Sequence, residues 1–376
     1  MPTAAATTPS NKKKHWFLLA LNIGAVVWLL LAYAAANFPP STLGYLTLFG
    51  LAYPFSLLAN LAFILIWIFK KRRYIFISTL AILMGLNHLT AFFQFSVSGS
   101  VDSKANQLKV LTYNVHVFDV FDKKNGAETR DAIYDMLHRE QADVICFQEF
   151  YQSEKSKSYP TRDTLIKFLP TKNYHERYTH AISGQQYFGV VTLSKYPIAE
   201  RGFVPFATDV NNFCIYTDII KNGDTIRVYN AHLQSIRFKK EDYDLANGKT
   251  EQKEIDDAGK RIARRLKTAF VKRQEQVDRI ASHMKECKHP VVLCGDFNDP
   301  PVSYAYCTLS ERLKDSFKEC GNGIGNTYIG AFPSFRIDYI LHSPIFETID
   351  YTTLSEELSD HHAVTATLQW RKKEAK

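Results

Sequence analysis

The chain has 376 residues, more than one typical domain requires, and a formal net charge of +8 that sits almost wholly in its first hundred residues. Residues 1–100 hold seven Lys or Arg and no Asp or Glu, which leaves 39 basic against 38 acidic side chains in the other 276. A near-neutral remainder excludes reading the basic pI as a nucleic-acid footprint; the charge is a membrane-topology signal instead.

Three apolar stretches come first. Trp16–Ala36, Tyr45–Phe69 and Tyr74–Phe95 are each uncharged over 21 to 25 residues. At about 1.5 Å per helical residue each spans a bilayer core of roughly 30 Å. A signal peptide has a shorter core and no repeats of it. The reading is therefore a multi-pass anchor over residues 1–95, with three transmembrane helices at about 16–36, 45–69 and 74–95 in the cytoplasmic membrane. Lys12, Lys13 and Lys14 precede the first span, and Lys70, Lys71, Arg72 and Arg73 separate the second from the third. The positive-inside rule then places the N-terminus in the cytoplasm and everything after Phe95 outside it. Asn87 and His88, inside the third stretch, are expected to pack between helices, since nothing else polar converges there.

Residues 96–106 are small, polar and unpatterned, and read as a linker. Residues 107–372 form one domain of α/β class. Its strands are expected at Leu108–Tyr113, Val144–Glu149, Phe188–Ser194, Phe213–Ile220, Thr225–His232, Pro290–Phe297, Ile337–His342 and Ala363–Trp370. Asn222-Gly223 is a hairpin signal between two of them. Helices fall at Glu128–Gln141 and Asp256–Lys285, the second with an apolar stripe through Ile262, Leu266, Phe270, Val277, Ile280 and Met284. Interspersed helices together with hairpins point to two stacked mixed sheets flanked by helices. The polar segment Ile236–Lys253 reads as an inserted loop. Six cysteines form no CxxC pair or zinc-like spacing, and Cys146 and Cys294 read as small apolar residues in buried strands.

Polar side chains collect at the ends of these apolar strands. Asn114 follows the first strand, Glu149 the second and His232 the fifth. Asp296 and Asn298 fall in Gly295-Asp296-Phe297-Asn298, Asp338 begins the seventh strand, and Asp360 and His361 lie in Ser359-Asp360-His361 just before the last. Charged and imidazole groups there are costly unless a metal, partner or substrate holds them, and strand-end loops are where catalytic groups gather. Carboxylates suit a hard divalent cation, and Asp and Glu without Cys/His clusters fit Mg²⁺ or Mn²⁺ better than Zn²⁺. Such an ion neutralises phosphate charge, a carboxylate orients or deprotonates water, and amides with a histidine hold developing charge. The chemistry indicated is hydrolysis of a phosphate ester.

The ordered set Asn114, Glu149, His232, Asp296/Asn298, Asp338 and Asp360/His361 resembles the endonuclease/exonuclease/phosphatase superfamily, over nearly all of the second domain. That resemblance implies a four-layer α/β sandwich with the site at one edge of the two sheets. It also implies roles. Glu149 is the principal metal ligand, with Asn114 beside it and Asp360 near the metal or its waters. Asp296 activates water, Asn298 holds phosphate, and His361 binds the reacting phosphate, oriented by Asp338. His232 is a second histidine facing that phosphate; Gln185 and Gln186 lie where its orienting group is sought. His116 sits nearby without ligating.

The reading is a Mg²⁺-dependent phosphodiesterase or phosphatase held at the membrane, with a lipid headgroup or small phosphoester as substrate. A Mg²⁺-dependent nuclease on nucleic acid is the alternative, and a non-catalytic binding module a third. No obligate protein partner is evident. The basic run Lys260, Arg261, Arg264, Arg265, Lys267, Lys272, Arg273 reads as a solvated helix face, or as a surface for phosphate-rich substrate or anionic headgroups.

Overall fold

The structure is a computed structural model and describes residues 10–96, 106–122, 125–155, 159, 161–182, 185–207, 212–236, 255–330 and 335–371. Nearly all of the expected linker and of the loop Ile236–Lys253 lie outside the described residues.

The first segment is helical: α1 Ser10–Ala35, α2 Thr47–Leu51, α3 Tyr53–Lys70, α4 Ile75–Met84 and α5 Leu86–Phe92. His15–Ala35 and Tyr53–Lys70 are long and apolar enough to cross a membrane. The third expected span is not one straight helix, because α4 and α5 meet at Gly85 with a 69° bend. A Cβ at Gly85 would lie 2.0 Å from the Tyr33 ring, so this glycine lets α1 approach closely. The second span also starts later than the apolar run does. Pro54 occupies the first turn of α3, a position where its missing N–H costs nothing, so α2 ends before it as a separate short helix. Buried polar contacts tie the helices together: Asn22 Nδ2 donates to Ser78 Oγ (2.6 Å) and Trp67 Nε1 donates to Asn22 Oδ1 (2.9 Å). His88 stacks on Tyr33 with ring centroids 5.1 Å apart, as expected of a packing residue. Asn87 does not pack between helices; it is exposed and accepts from Lys318 Nζ of the second domain.

The second domain contains twelve strands among its described residues, in two six-stranded sheets. The first sheet has the order β11-β12-β1-β2-β4-β3, from β1 Gln107–Asn114, β2 Val144–Ser153, β3 Asn173–Ile182, β4 Gln186–Ser194, β11 Phe346–Thr353 and β12 Val364–Trp370. The second runs β5-β6-β7-β8-β10-β9, from β5 Ile198–Val204, β6 Phe213–Lys221, β7 Asp224–His232, β8 Val291–Asp296, β9 Lys314–Asp315 and β10 Asp338–His342. Each sheet has one central parallel pair, β1/β2 and β7/β8, with antiparallel neighbours. Parallel strands need a crossover, and helices supply both: α6 Gly126–Glu140 joins β1 to β2, and α8 Ile255–Glu286 lies between β7 and β8. Asn222 and Gly223 both have positive φ (54° and 88°), the geometry of the two-residue hairpin their sequence predicts.

Strand alternation builds four layers. Leu108, Val110, Val144 and Cys146 of the first sheet face Val228, Val292, Cys294 and Ile340 of the second. Outward, Leu111, Ile145 and Phe147 pack on Ile133, Met136 and Leu137 of α6 and on Leu165 of α7 (Thr161–Phe168). Tyr229, Leu293 and Tyr339 pack on Val277 and Ile280 of α8 and on Tyr306 and Leu309 of α9 (Tyr304–Ser310). The chain thus forms the two-sheet α/β sandwich its sequence predicts.

The helical segment docks on this sandwich. Val302 joins the cluster of Leu29, Ala32, Tyr53 and Ile82. Ser41 N donates to Gln274 Oε1 (2.8 Å), and Arg336 Nη2 donates to Ala91 O (2.7 Å).

Candidate active site

The same period of two that places Val110, Cys146, Val228, Val292 and Ile340 between the sheets carries their strands' polar ends to that face. Thr112, Asn114, Gln148, Asn230, His232, Asp296 and Asp338 sit on it at one end of the sandwich. Glu149 would fall out of phase. A bulge in β2, between Phe147 and Phe150, adds one residue, and Glu149 there takes φ 50°. Bulges re-aim side chains in this way.

The Gly-Asp-Phe-Asn string can be read atom by atom. Gly295 has φ 140°, and a Cβ there would lie 1.9 Å from Ala231 O, so only glycine lets β8 approach β7. Asp296 ends β8 opposite His232 of the parallel β7 and Asp338 of the antiparallel β10. Phe297 is fully buried and stacks on Tyr339 (centroids 4.6 Å apart). Asn298, at φ 54°, turns back: its N–H donates to Asp296 Oδ1 (2.8 Å), and its Nδ2 donates to Asp296 Oδ2 (3.1 Å) and Leu233 O (3.0 Å). As placed, the Asn298 amide orients Asp296.

Asn114 joins the sheets, its Nδ2 donating to Asp296 Oδ2 (3.1 Å) and Glu149 Oε1 (3.3 Å). His232 Nε2 is 3.7 Å from both Glu149 Oε1 and Asp296 Oδ2, and is buried with no hydrogen-bond partner. His361 Nδ1 meets Asp338 Oδ2 at 2.8 Å, and its Nε2 lies 3.9 Å from Asp296 Oδ2. Ser359 Oγ donates to Asn114 O (2.8 Å) and accepts from His361 N (3.3 Å), pinning that loop to β1. Asp360 lines the same cavity as Glu149, Asp296, Asn298 and His361. All eight sequence-selected residues therefore meet at one end of the sandwich. His116 contributes only its N–H, to Asn114 Oδ1, and its side chain is exposed. Gln186 begins β4, paired with Ser153 and Ile182.

The electrostatics separate the two central groups. Burial pushes the Asp296 carboxyl up to about 6, with Asp338 adding to this and the two imidazoles opposing it. Burial alone would lower His361, yet Asp338 and then Asp296 carry it to about 10, so it stays charged at neutral pH.

Two groups lacked an assigned role in the sequence. Gln148 Nε2 donates to Asn230 Oδ1 (2.8 Å), and Asn230 Nδ2 donates to Phe147 O and Val191 O (3.2 and 3.1 Å). This fully buried pair bridges the sheets directly beneath the site. Its signal was present: Asn230 shares strand phase with His232, and Gln148 shares it with the inward-facing Cys146. The basic run is not one solvated face either. Arg273 is buried against Asp299 (2.9 Å), whereas Arg264 is exposed and Ile262 and Leu266 of the same helix line the cavity.

The donor set suits a divalent cation. Ligand atoms of Asp296, Asp338 and His361 lie within 4.8 Å of one another, and Asp338 Oδ1 is buried without a partner. With Nδ1 held by Asp338 and its charge favoured, His361 has no lone pair to offer a cation. Carboxylate oxygens remain, with Glu149 far more accessible than Asp296 or Asp338; that is a hard, oxygen-rich set.

Comparisons with known proteins bear on the fold and the family. A profile described as "Domain of unknown function (DUF8431)" matches residues 15–92. An endonuclease/exonuclease/phosphatase family protein from Leptotrichia buccalis C-1013-b is 21% identical, at a TM-score of 0.50, covering 70% of this chain and 100% of its own. A family protein from Bacteroides vulgatus is 18% identical at 0.51, covering 70% and 99%. One from Beutenbergia cavernae DSM 12333 is 16% identical at 0.50, covering 70% and 72%. These likenesses establish the fold, and no curated protein matches the chain. The profile of the "Endonuclease/Exonuclease/phosphatase family" matches residues 111–361, from β1 through His361, and the chain belongs to that family.

Proposed function

We propose that the chain is a membrane-anchored, Mg²⁺- or Mn²⁺-dependent hydrolase of phosphate esters, its catalytic domain on the extracytoplasmic face. One observation carries this reading: a basic carboxylate, Asp296, and a charged imidazole, His361, share one cavity with Glu149, and His232 Nε2 lies 3.7 Å from both carboxylates.

The residues divide the work. Asp296, tuned towards neutrality, orients the attacking water and takes its proton. Asn114 and Asn298 fix that carboxylate from two sides. His361, charged and held by Asp338, meets the non-bridging phosphate oxygens where charge builds. His232 Nε2 is available as a second donor. A divalent ion held by Glu149, with Asn114 and Asp360 beside it, neutralises phosphate charge when bound.

Full-length protein with Mg²⁺ or Mn²⁺ is expected to hydrolyse bis(p-nitrophenyl) phosphate, and chelation to stop it. Asp296→Asn and His361→Ala lower kcat by about 10²–10⁴-fold with circular dichroism unchanged. Wild-type rates in either variant would sink the assignment. Plasmid nicking without turnover of phospholipid vesicles would move the substrate to nucleic acid.

A further inference from the structure

The catalytic cavity, about 480 Å³, is walled on one side by the helical segment. Leu48, Leu51 and Phe55 come from α2 and the first turn of α3, and Ile262 and Leu266 come from the facing side of α8. They line the same cavity as Glu149, Asp296 and His361. Packing between the two segments does not use up this apolar surface: Phe55 keeps 55% of its area exposed, and Leu48 and Leu51 are only partly buried. A sugar phosphate, polar all round, gains nothing from such a wall, and duplex DNA gains little, because it presents phosphates outward and keeps its apolar base faces stacked on one another.

Two further features agree. Phe55 lies at the end of a helix long and apolar enough to cross a membrane, the end remote from Lys70, Lys71, Arg72 and Arg73. An apolar chain leaving the cavity there would pass into the bilayer. Beside it, Arg261, Arg264, Arg265 and Lys272 line an adjoining cavity of about 470 Å³ that shares Ser235 and Ile236 with the first. Cationic side chains at a membrane surface favour anionic headgroups.

We infer that the substrate is a membrane lipid phosphoester, its phosphate at Asp296 and His361 and its acyl chain against Leu48, Leu51 and Phe55. This rests on the hydrolase reading above and names its substrate class. The anchor then does more than tether: it completes the substrate site.

A chain-length series tests this without knowledge of the headgroup. Ethyl, butyl, hexyl and octyl phosphate, all below their micellar concentrations, are titrated against full-length protein in nanodiscs. Inhibition of bis(p-nitrophenyl) phosphate hydrolysis is one readout and thermal stabilisation, which needs no turnover, the other. Each added methylene is expected to tighten binding about two- to fourfold. In Leu51→Asn and Phe55→Asn that dependence flattens, while Leu65→Asn, exposed elsewhere on α3, retains the wild-type slope. Affinity independent of chain length in the wild type would overturn the lipid assignment, as would an unchanged slope in both wall variants. Chain-length-dependent stabilisation with no turnover of any ester would instead overturn the hydrolase reading and leave the lipid site standing.

Discussion

Asp296 is held as a carboxylate where water can least support one: it is 1% exposed and lies beside a second buried acid, Asp338. The arrangement trades stability for a base of useful strength. Its folded pKa of about 6 lies above the ordinary 3.8, so between those values the folded state binds more protons than the unfolded state. Stability contributed by the protonated form is present at low pH and lost as pH rises through about 6. Relative to Asp296→Asn, metal-free wild-type protein is therefore expected to lose about 1–3 kcal/mol between pH 4 and 7. Saturating Mg²⁺ should remove much of this difference, because a cation stabilises the charged form. His361 enters only at the top of that window: its raised pKa makes its own contribution fade from about 6.5 upward, towards 10. Chemical denaturation across that range checks this, and a pH-independent difference would refute the burial argument. At this scale the sequence was legible because an acid, amide or imidazole on an apolar strand is anomalous by itself. Gln148 and Asn230 were less so, since an amide inside a strand becomes meaningful only when the opposite sheet supplies its partner.

Elements were legible in proportion to how completely they are covered. The eight strands read from apolar runs all lie inside their sheets. The four others, β3, β5, β9 and β11, are the four sheet edges. An edge strand is protected on one side only and carries charges such as Glu176, Arg177, Glu200 and Arg201, which erase the apolar run. The β2 bulge was equally hidden, because pairing with β4 creates it rather than any residue type. Docking of the helical segment depends on Arg336, whose guanidinium donates to Asp315 Oδ1 and Oδ2 (3.2 and 2.8 Å) and to Ala91 O, at 2% exposure. Removing one member of such a buried pair strands the other charge. Arg336→Met is expected to cost about 3–5 kcal/mol in chemical denaturation, and adding Asp315→Asn should recover part of it. A loss below 1 kcal/mol, which lies within the range of exposed pairs, would show that the docking does not depend on this ion pair.

For the whole molecule, the proposed topology and the observed docking constrain each other. The sandwich touches the helical segment through Ser41, Gly50, Ala91 and Gln94, while Lys70, Lys71, Arg72 and Arg73 fall at the far end of α3. Basic clusters on one side of a bilayer and the sandwich on the other satisfy the positive-inside rule and this contact set together. The bend at Gly85 fits the same arrangement, since α4 has only ten residues, about 15 Å, and α5 turns away to deliver Phe92 to the sandwich. The expectation of three spans came from composition, which registers apolar length but not a kink; Gly85 becomes visible as a break only once Tyr33 is known to cross there. In a bacterial host, a C-terminal fusion to alkaline phosphatase, which folds only outside the cytoplasm, is therefore expected to be active, and a fusion to green fluorescent protein to stay dark when exported by the same route. Replacing Lys70, Lys71, Arg72 and Arg73 with Gln should weaken that orientation and raise the fluorescent fraction. Bright fluorescence with inactive phosphatase in the wild type would invert the orientation while leaving the chemistry at Asp296 and the apolar wall at Phe55 intact, because the contacts that build the site do not depend on which side of the bilayer they face.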